Sequence, residues 1–102
     1  IEPEIEQVMV DGDHRPWLAG VIVPSDEARA KASSDNDLKT LIAEAVDRAN
    51  TRLSQIERVR RFVIAKEAFS TENSQLTPTL KVRRHIVRAA YADQLDALYK
   101  RR

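Results

Sequence analysis

Apolar and polar positions fall into blocks along the chain, and the spacing inside each block predicts its form. Ile5 to Val10 reads IEQVMV, β-prone, and stops at Asp11-Gly12-Asp13. After a polar turn through Arg15 and Pro16 comes WLAGVIV, Trp17 to Val23, ended by Pro24. Two such runs around a glycine-containing turn predict a hairpin, and the nearly all-apolar second run predicts a central strand covered on both faces. Ser25 with Asp26 and Glu27 forms a helix start, which fails near Ser33-Ser34. Ser34 begins another, with Asp37 three residues on as a capping box. Leu38, Leu41, Ile42, Ala45, Val46, Ala49, Leu53 and Ile56 then recur at intervals of three and four, a stripe on a helix of about five turns. Phe62, Val63 and Ile64 centre a third strand within Arg60 to Phe69, and Ser70 to Gln75 is loop.

A last helix runs to about Tyr99 on Val82, Ile86, Val87, Ala90, Tyr91, Leu95 and Leu98. Thr79 is its preferred N-cap, and Thr77 with Pro78 at the first helical position is the competitor. The order β-β-α-α-β-α predicts an α+β fold, a largely antiparallel three-stranded sheet with helices packed against it.

At 102 residues the chain is one domain, and folding buries only about two-thirds of its surface, so a deep private active site has little room. The 17 Lys and Arg nearly balance the 16 Asp and Glu, so overall charge makes no case for a nucleic-acid partner. With no cysteine there is no thiol nucleophile or thiolate metal site. His14 and His85 lie in unrelated elements, which argues against a metal centre. No apolar run approaches the ~20 residues that span a bilayer. The N-terminus is acidic and unlike a signal peptide. Glu2, Glu4 and Glu6 read as a solvated strand edge. Beginning in mid-pattern at Ile1, the chain reads as a segment of something longer.

Candidate chemistry gathers before the last helix. Lys81, Arg83, Arg84 and Arg88 crowd its expected first turns with no acid before Asp93. Cations there oppose the helix dipole and concentrate positive potential beside unpaired N–H groups, which a phosphate would relieve. A solvated basic face is the competing reading.

These residues also carry a resemblance. Phe69 to Tyr99 resembles the C-terminal end of long-chain fatty acyl-CoA synthetases, members of the adenylate-forming superfamily. The family's L-T-P-T-x-K-x-[KR]-R run stands here as Leu76-Thr77-Pro78-Thr79-Leu80-Lys81-Val82-Arg83-Arg84. Gly12-Asp13-His14-Arg15-Pro16-Trp17-Leu18, leading into Val21-Ile22-Val23-Pro24, is similar to the family's G-D-x-[RK]-x-[YFW]-L-x-x-L-I-x-P segment. Where the family commonly has glycine this chain has Ser74, a strained choice if that position needs a positive φ.

The resemblance implies that residues 1–102 are the mobile C-terminal lid of a two-domain ligase. The parent joins a fatty acid to ATP, releases pyrophosphate, and passes the acyl group to coenzyme A. It implies Lys81 as the catalytic lysine of adenylation, and Arg83 and Arg84 as contacts to nucleotide or CoA phosphates or as partners of acids on the adenylation domain. Loops flanking the hairpin can line a domain interface, which makes Gly12, with Thr79, an interface loop position. ATP, CoA and Mg2+ belong to the intact enzyme, and this domain alone is expected to bind none of them. The expected partner is the adenylation domain, in a cytoplasmic protein with a possible membrane-peripheral association and no nucleic acid. A fatty acyl-AMP ligase serving a carrier protein is a sibling reading. A free-standing module using Arg58, Arg60, Arg61, Arg83, Arg84, Arg88 and Lys100-Arg101-Arg102 is an unrelated one.

Overall fold

The computed structural model of the chain describes residues 2–12 and 15–99. The elements are β1 (Ile5–Asp11), β2 (Leu18–Pro24), α1 (Asp26–Lys31), α2 (Asp35–Asn50), a 3-10 turn (Gln55–Glu57), β3 (Val59–Ile64), α3 (Arg84–Ala90) and α4 (Ala92–Tyr99). This is the α+β order read from the pattern, with the last helix in two pieces.

β2 lies between the other strands. It pairs antiparallel with β1, Val8 opposite Ile22, and parallel with β3, Ile22 opposite Ile64. The sheet is therefore mixed, not largely antiparallel. The connection explains it: α1 and α2 carry the chain back toward the end where β2 began, so β3 starts there and runs the same way.

Strand alternation divides the core into two layers. Ala19, Val21 and Val23 of β2 face Val87, Tyr91 and Leu95 of the C-terminal helices, together with Met9, Ala65 and Phe69. Ile22 faces the other way, onto Ala28, Leu38, Ile42 and Val46 of α1 and α2. Irregular pairing in β1 between Ile5 and Gln7 puts Ile5 on the α2 side and Met9 on the α4 side, as a bulge does.

The helix starts form as read. Ser25 Oγ accepts the Ala28 N–H at 3.1 Å, and Ser34 Oγ accepts that of Asp37 at 3.1 Å. Asp37 reaches back to the Ser33 N–H at 2.8 Å, one residue earlier than a strict capping box. The apolar stripe outruns α2, which stops at Asn50 and leaves Ile56 88% exposed. Asn50 ends it by pairing through its side-chain amide with both backbone groups of Val59, at 2.8 and 3.1 Å. Glu2 and Glu4, expected at a solvated edge, are buried. Arg48 binds Glu2 at 2.7 Å and Glu4 at 2.9 Å, and Arg52 binds Glu2 at 3.0 Å.

Neither Thr79 nor Thr77 caps the C-terminal helix. It begins at Arg84 with Arg83 in the cap position and no side-chain cap bond, because the Thr77 hydroxyl is used in a turn upstream. The break at Tyr91 is local. The Tyr91 N–H still reaches the Val87 carbonyl, the Leu95 N–H reaches Tyr91, and the buried phenol oxygen accepts the Lys66 N–H at 2.9 Å.

Candidate functional site

The site is built on Leu76 to Val82. Leu76 and Val82 form an isolated antiparallel bridge and pack against the core. Between them the Leu80 N–H donates to the Thr77 carbonyl, and the Thr77 N–H to the Lys81 carbonyl, both at 2.8 Å. The Lys81 N–H donates to Thr77 Oγ1 at 3.0 Å. Pro78 presets φ at the second turn position, and Leu80 closes the turn at φ 67°. The turn thus holds Lys81 three residues ahead of α3, with an exposed side chain. Among the described residues its ammonium makes no ion pair and no hydrogen bond. Thr79 shares this exposed turn, its hydroxyl 3.1 Å from that of Thr77.

The expected basic patch divides. Lys81 and Arg83 lie outside the helix rather than in its first turn. Arg83 is half-buried, and its N–H donates to the Gln75 carbonyl at 2.8 Å. Arg84 turns onto β1, where Nη2 donates to the Val10 carbonyl at 2.6 Å. Arg88 follows, Nε 3.1 Å from Asp11 Oδ1. Asp11 is buried, and its Oδ2 has no partner among the described residues. Met9, Asp11, Arg84, His85 and Arg88 line an open cavity of about 330 Å³. Arg84 and Arg88 therefore sit at the end of β1 beside Gly12, where a Cβ would run into the Leu18 side chain. Asp13, His14 and the terminal Lys100-Arg101-Arg102 lie outside the described residues.

Spacing alone did not reveal how the other cations are used. Arg15 binds Asp96 at 2.7 Å and lies over the Tyr99 ring, Tyr99 stacks on Trp17 at 4.5 Å, and Arg61 covers Trp17 at 5.7 Å. Burial, with Asp11 nearby, raises the Tyr99 phenol above its ordinary value. Among the described residues no three His, Asp or Glu side chains are grouped to hold a metal ion. No helix there is long and apolar enough to cross a membrane.

The model of the AMP-binding enzyme C-terminal domain matches residues 1–102. The chain is 34% identical, over 97% of its length, to the long-chain-fatty-acid–CoA ligase FadD15 of Mycobacterium tuberculosis, and spans 19% of that protein. It is 32% identical, over 93% of its length, to the chloroplastic long-chain-fatty-acid–[acyl-carrier-protein] ligase AEE15 of Arabidopsis thaliana, and spans 13% of it. Among solved structures, the A-PCP didomain of a carboxylic acid reductase from Segniliparus rugosus in complex with AMP superimposes with a TM-score of 0.83 at 32% identity. That match covers 96% of this chain and 14% of the didomain chain.

Proposed function

Because the chain belongs to the AMP-binding enzyme C-terminal domain family, we propose that it is the mobile lid of a long-chain fatty acid–CoA ligase and that Lys81 serves the adenylation half-reaction. One observation supports this most: the Lys81 ammonium is exposed on a turn whose two flanks are anchored in the core. A compact cation on a four-carbon stem can follow charge as it builds on an α-phosphate and the attacking carboxylate, in a cleft that the adenylation domain supplies. Arg83, and the donors of Arg84 not committed to Val10, are directed at nucleotide or CoA phosphates. Gly12 and Thr79 belong to the face that meets the adenylation domain. Any Mg2+ belongs, on this reading, to the nucleotide site of the intact enzyme. The parent works in the cytoplasm, and the isolated domain is expected to hold no ATP tightly, because the adenylation domain supplies the cleft that positions it.

The test is Lys81→Ala in the full-length enzyme. Acyl-adenylate formation should fall by about 10²–10³, while thioester formation from supplied acyl-adenylate is spared. Equal loss of both removes the assigned role. Calorimetric titration of the 102-residue chain with ATP should show no tight binding.

A carrier protein as acyl acceptor is the second reading, and the names of the relatives favour keeping it: one is a ligase to acyl carrier protein, and one solved neighbour is an A-PCP didomain. Assaying the parent with CoA and with holo carrier protein separates the two. The free-standing nucleic-acid module is a third reading: salt-dependent DNA retention by the chain would support it, and absence of binding at low salt would dispose of it.

A further inference from the structure

We propose that Leu80 is a positioning residue for Lys81, its side chain seating on the adenylation domain so that the ammonium enters the nucleotide site from one fixed direction. The inference rests on the lid reading above. Leu80 holds φ 67°, a left-handed backbone that glycine adopts freely and leucine adopts only by crowding its Cβ against a carbonyl oxygen. It is 69% exposed, so the domain gains little from its burial. Its backbone is nevertheless held firmly. The Thr77 carbonyl and hydroxyl take the N–H groups of Leu80 and Lys81, and the Leu76–Val82 bridge ties both flanks to the core. A residue type unfavourable on both counts therefore stands at a rigid tip, beside an ammonium with no partner among the described residues. Strain of this kind persists where the surroundings over-determine the backbone, and it gathers at active sites and ligand clamps.

The occupant is the adenylation domain. The chain spans only 19% and 13% of the two ligases named above and 14% of the solved didomain chain, so most of such a protein lies beyond this fold. Consecutive Cα atoms are about 3.8 Å apart, so a seat for Leu80 restricts the root of the Lys81 stem directly.

Half-reaction kinetics of the full-length enzyme test this with three variants. Leu80→Gly and Leu80→Asn keep the left-handed turn while removing the apolar side chain, and Leu80→Met keeps an apolar group of similar size. Gly and Asn should lower kcat for acyl-adenylate formation by about ten- to a hundredfold, the effect of unseating one leucine. The KM for ATP and the thioester half-reaction should hold, and Met should restore most of the rate. A photo-cross-linking residue at position 80 should join the adenylation domain of its own molecule when ATP and fatty acid are present, in a Lys81→Ala background as well. Wild-type adenylation in Leu80→Gly beside a crippled Lys81→Ala overturns the Leu80 role alone. Equal loss in both half-reactions, absence of the cross-link, or a cross-link formed only between two copies overturns it as well. Unimpaired adenylation in Lys81→Ala would instead remove the lid reading.

Discussion

Two consecutive turns follow β3, and they use the same strained backbone in opposite directions. Ser74 and Leu80 both hold φ 67°. The family resemblance had marked the first, where glycine is common and serine stands here. Around Ser74 the polar groups close on one another. Ser70 and Asn73 exchange hydrogen bonds at 3.1 and 3.2 Å, the Ser74 N–H reaches the Thr71 carbonyl at 3.1 Å, and the Gln75 N–H reaches Ser70 at 3.0 Å. That turn is framed by buried Phe69 and buried Gln75, so its bend serves to bring its flanks inward. Around Leu80 the flanks are equally well anchored, yet the tip carries an exposed apolar side chain and an ammonium. The strain at Ser74 returns its benefit within the fold; that at Leu80, on the proposal above, returns it against the adenylation domain.

The sharpest way to break this contrast is to unpin the first turn. Phe69 is almost fully buried, and Gln7 brackets its backbone, taking its N–H at 2.8 Å and giving an N–H to its carbonyl at 3.1 Å. Phe69→Ala should cost about 3–5 kcal/mol by denaturant unfolding of the 102-residue chain. The second turn should loosen with it, because Leu76 and Arg83 hang on the Ser70 and Gln75 carbonyls. Unchanged amide exchange at Leu80 and Lys81 in that variant would show the two turns to be independent.

A smaller effect sharpens it. Ser74→Gly relieves the left-handed backbone and loosens the unfolded chain, for a net gain of up to about 1 kcal/mol. In the full-length enzyme it should leave both half-reactions unchanged, the opposite of what Leu80→Gly is expected to do. A loss of adenylation in Ser74→Gly would erase the distinction between the turns.

The smallest effect lies far from both, where charges are paired internally. Hydrogen bonding from Arg48, opposed by desolvation and helped by Arg52, holds the Glu2 carboxyl below its ordinary value of 4.5. A lowered folded pKa means the contribution is complete above that ordinary value and disappears as pH falls through the folded one. Denaturant midpoints of the chain and of Glu2→Gln should therefore differ at neutral pH and converge in acid. Added salt should narrow the neutral gap, since Arg48 and Arg52 are well exposed. A gap independent of pH would show that this clamp does not titrate.

Much of the fold was legible because its signals are local. The caps at Ser25 and Ser34, the stripe from Leu38 to Val46 and the all-apolar β2 each act within a turn or two of the chain. The misreadings all concern distance. The end of α2 was overrun because Asn50 stops it by pairing with Val59, which no periodicity records. The acids at Glu2 and Glu4 looked solvated because their partners lie more than forty residues away. Lys81 stands out through its motif as the residue to test. Its separation from Arg84 and Arg88 was not legible, since the helix start depends on which groups Thr77 and Val10 hold.

By itself the sequence determined the order and type of the elements, the two-sided burial of β2, the family and the lysine worth testing, because periodicity, capping and motif spacing are written in consecutive residues. Tertiary structure alone decided that β3 runs parallel to β2, that Arg84 and Arg88 fold onto β1, and that Leu80 is left outward beside Lys81. Those outcomes depend on which distant donor meets which acceptor once the core closes, and that competition is settled only when the whole chain has packed.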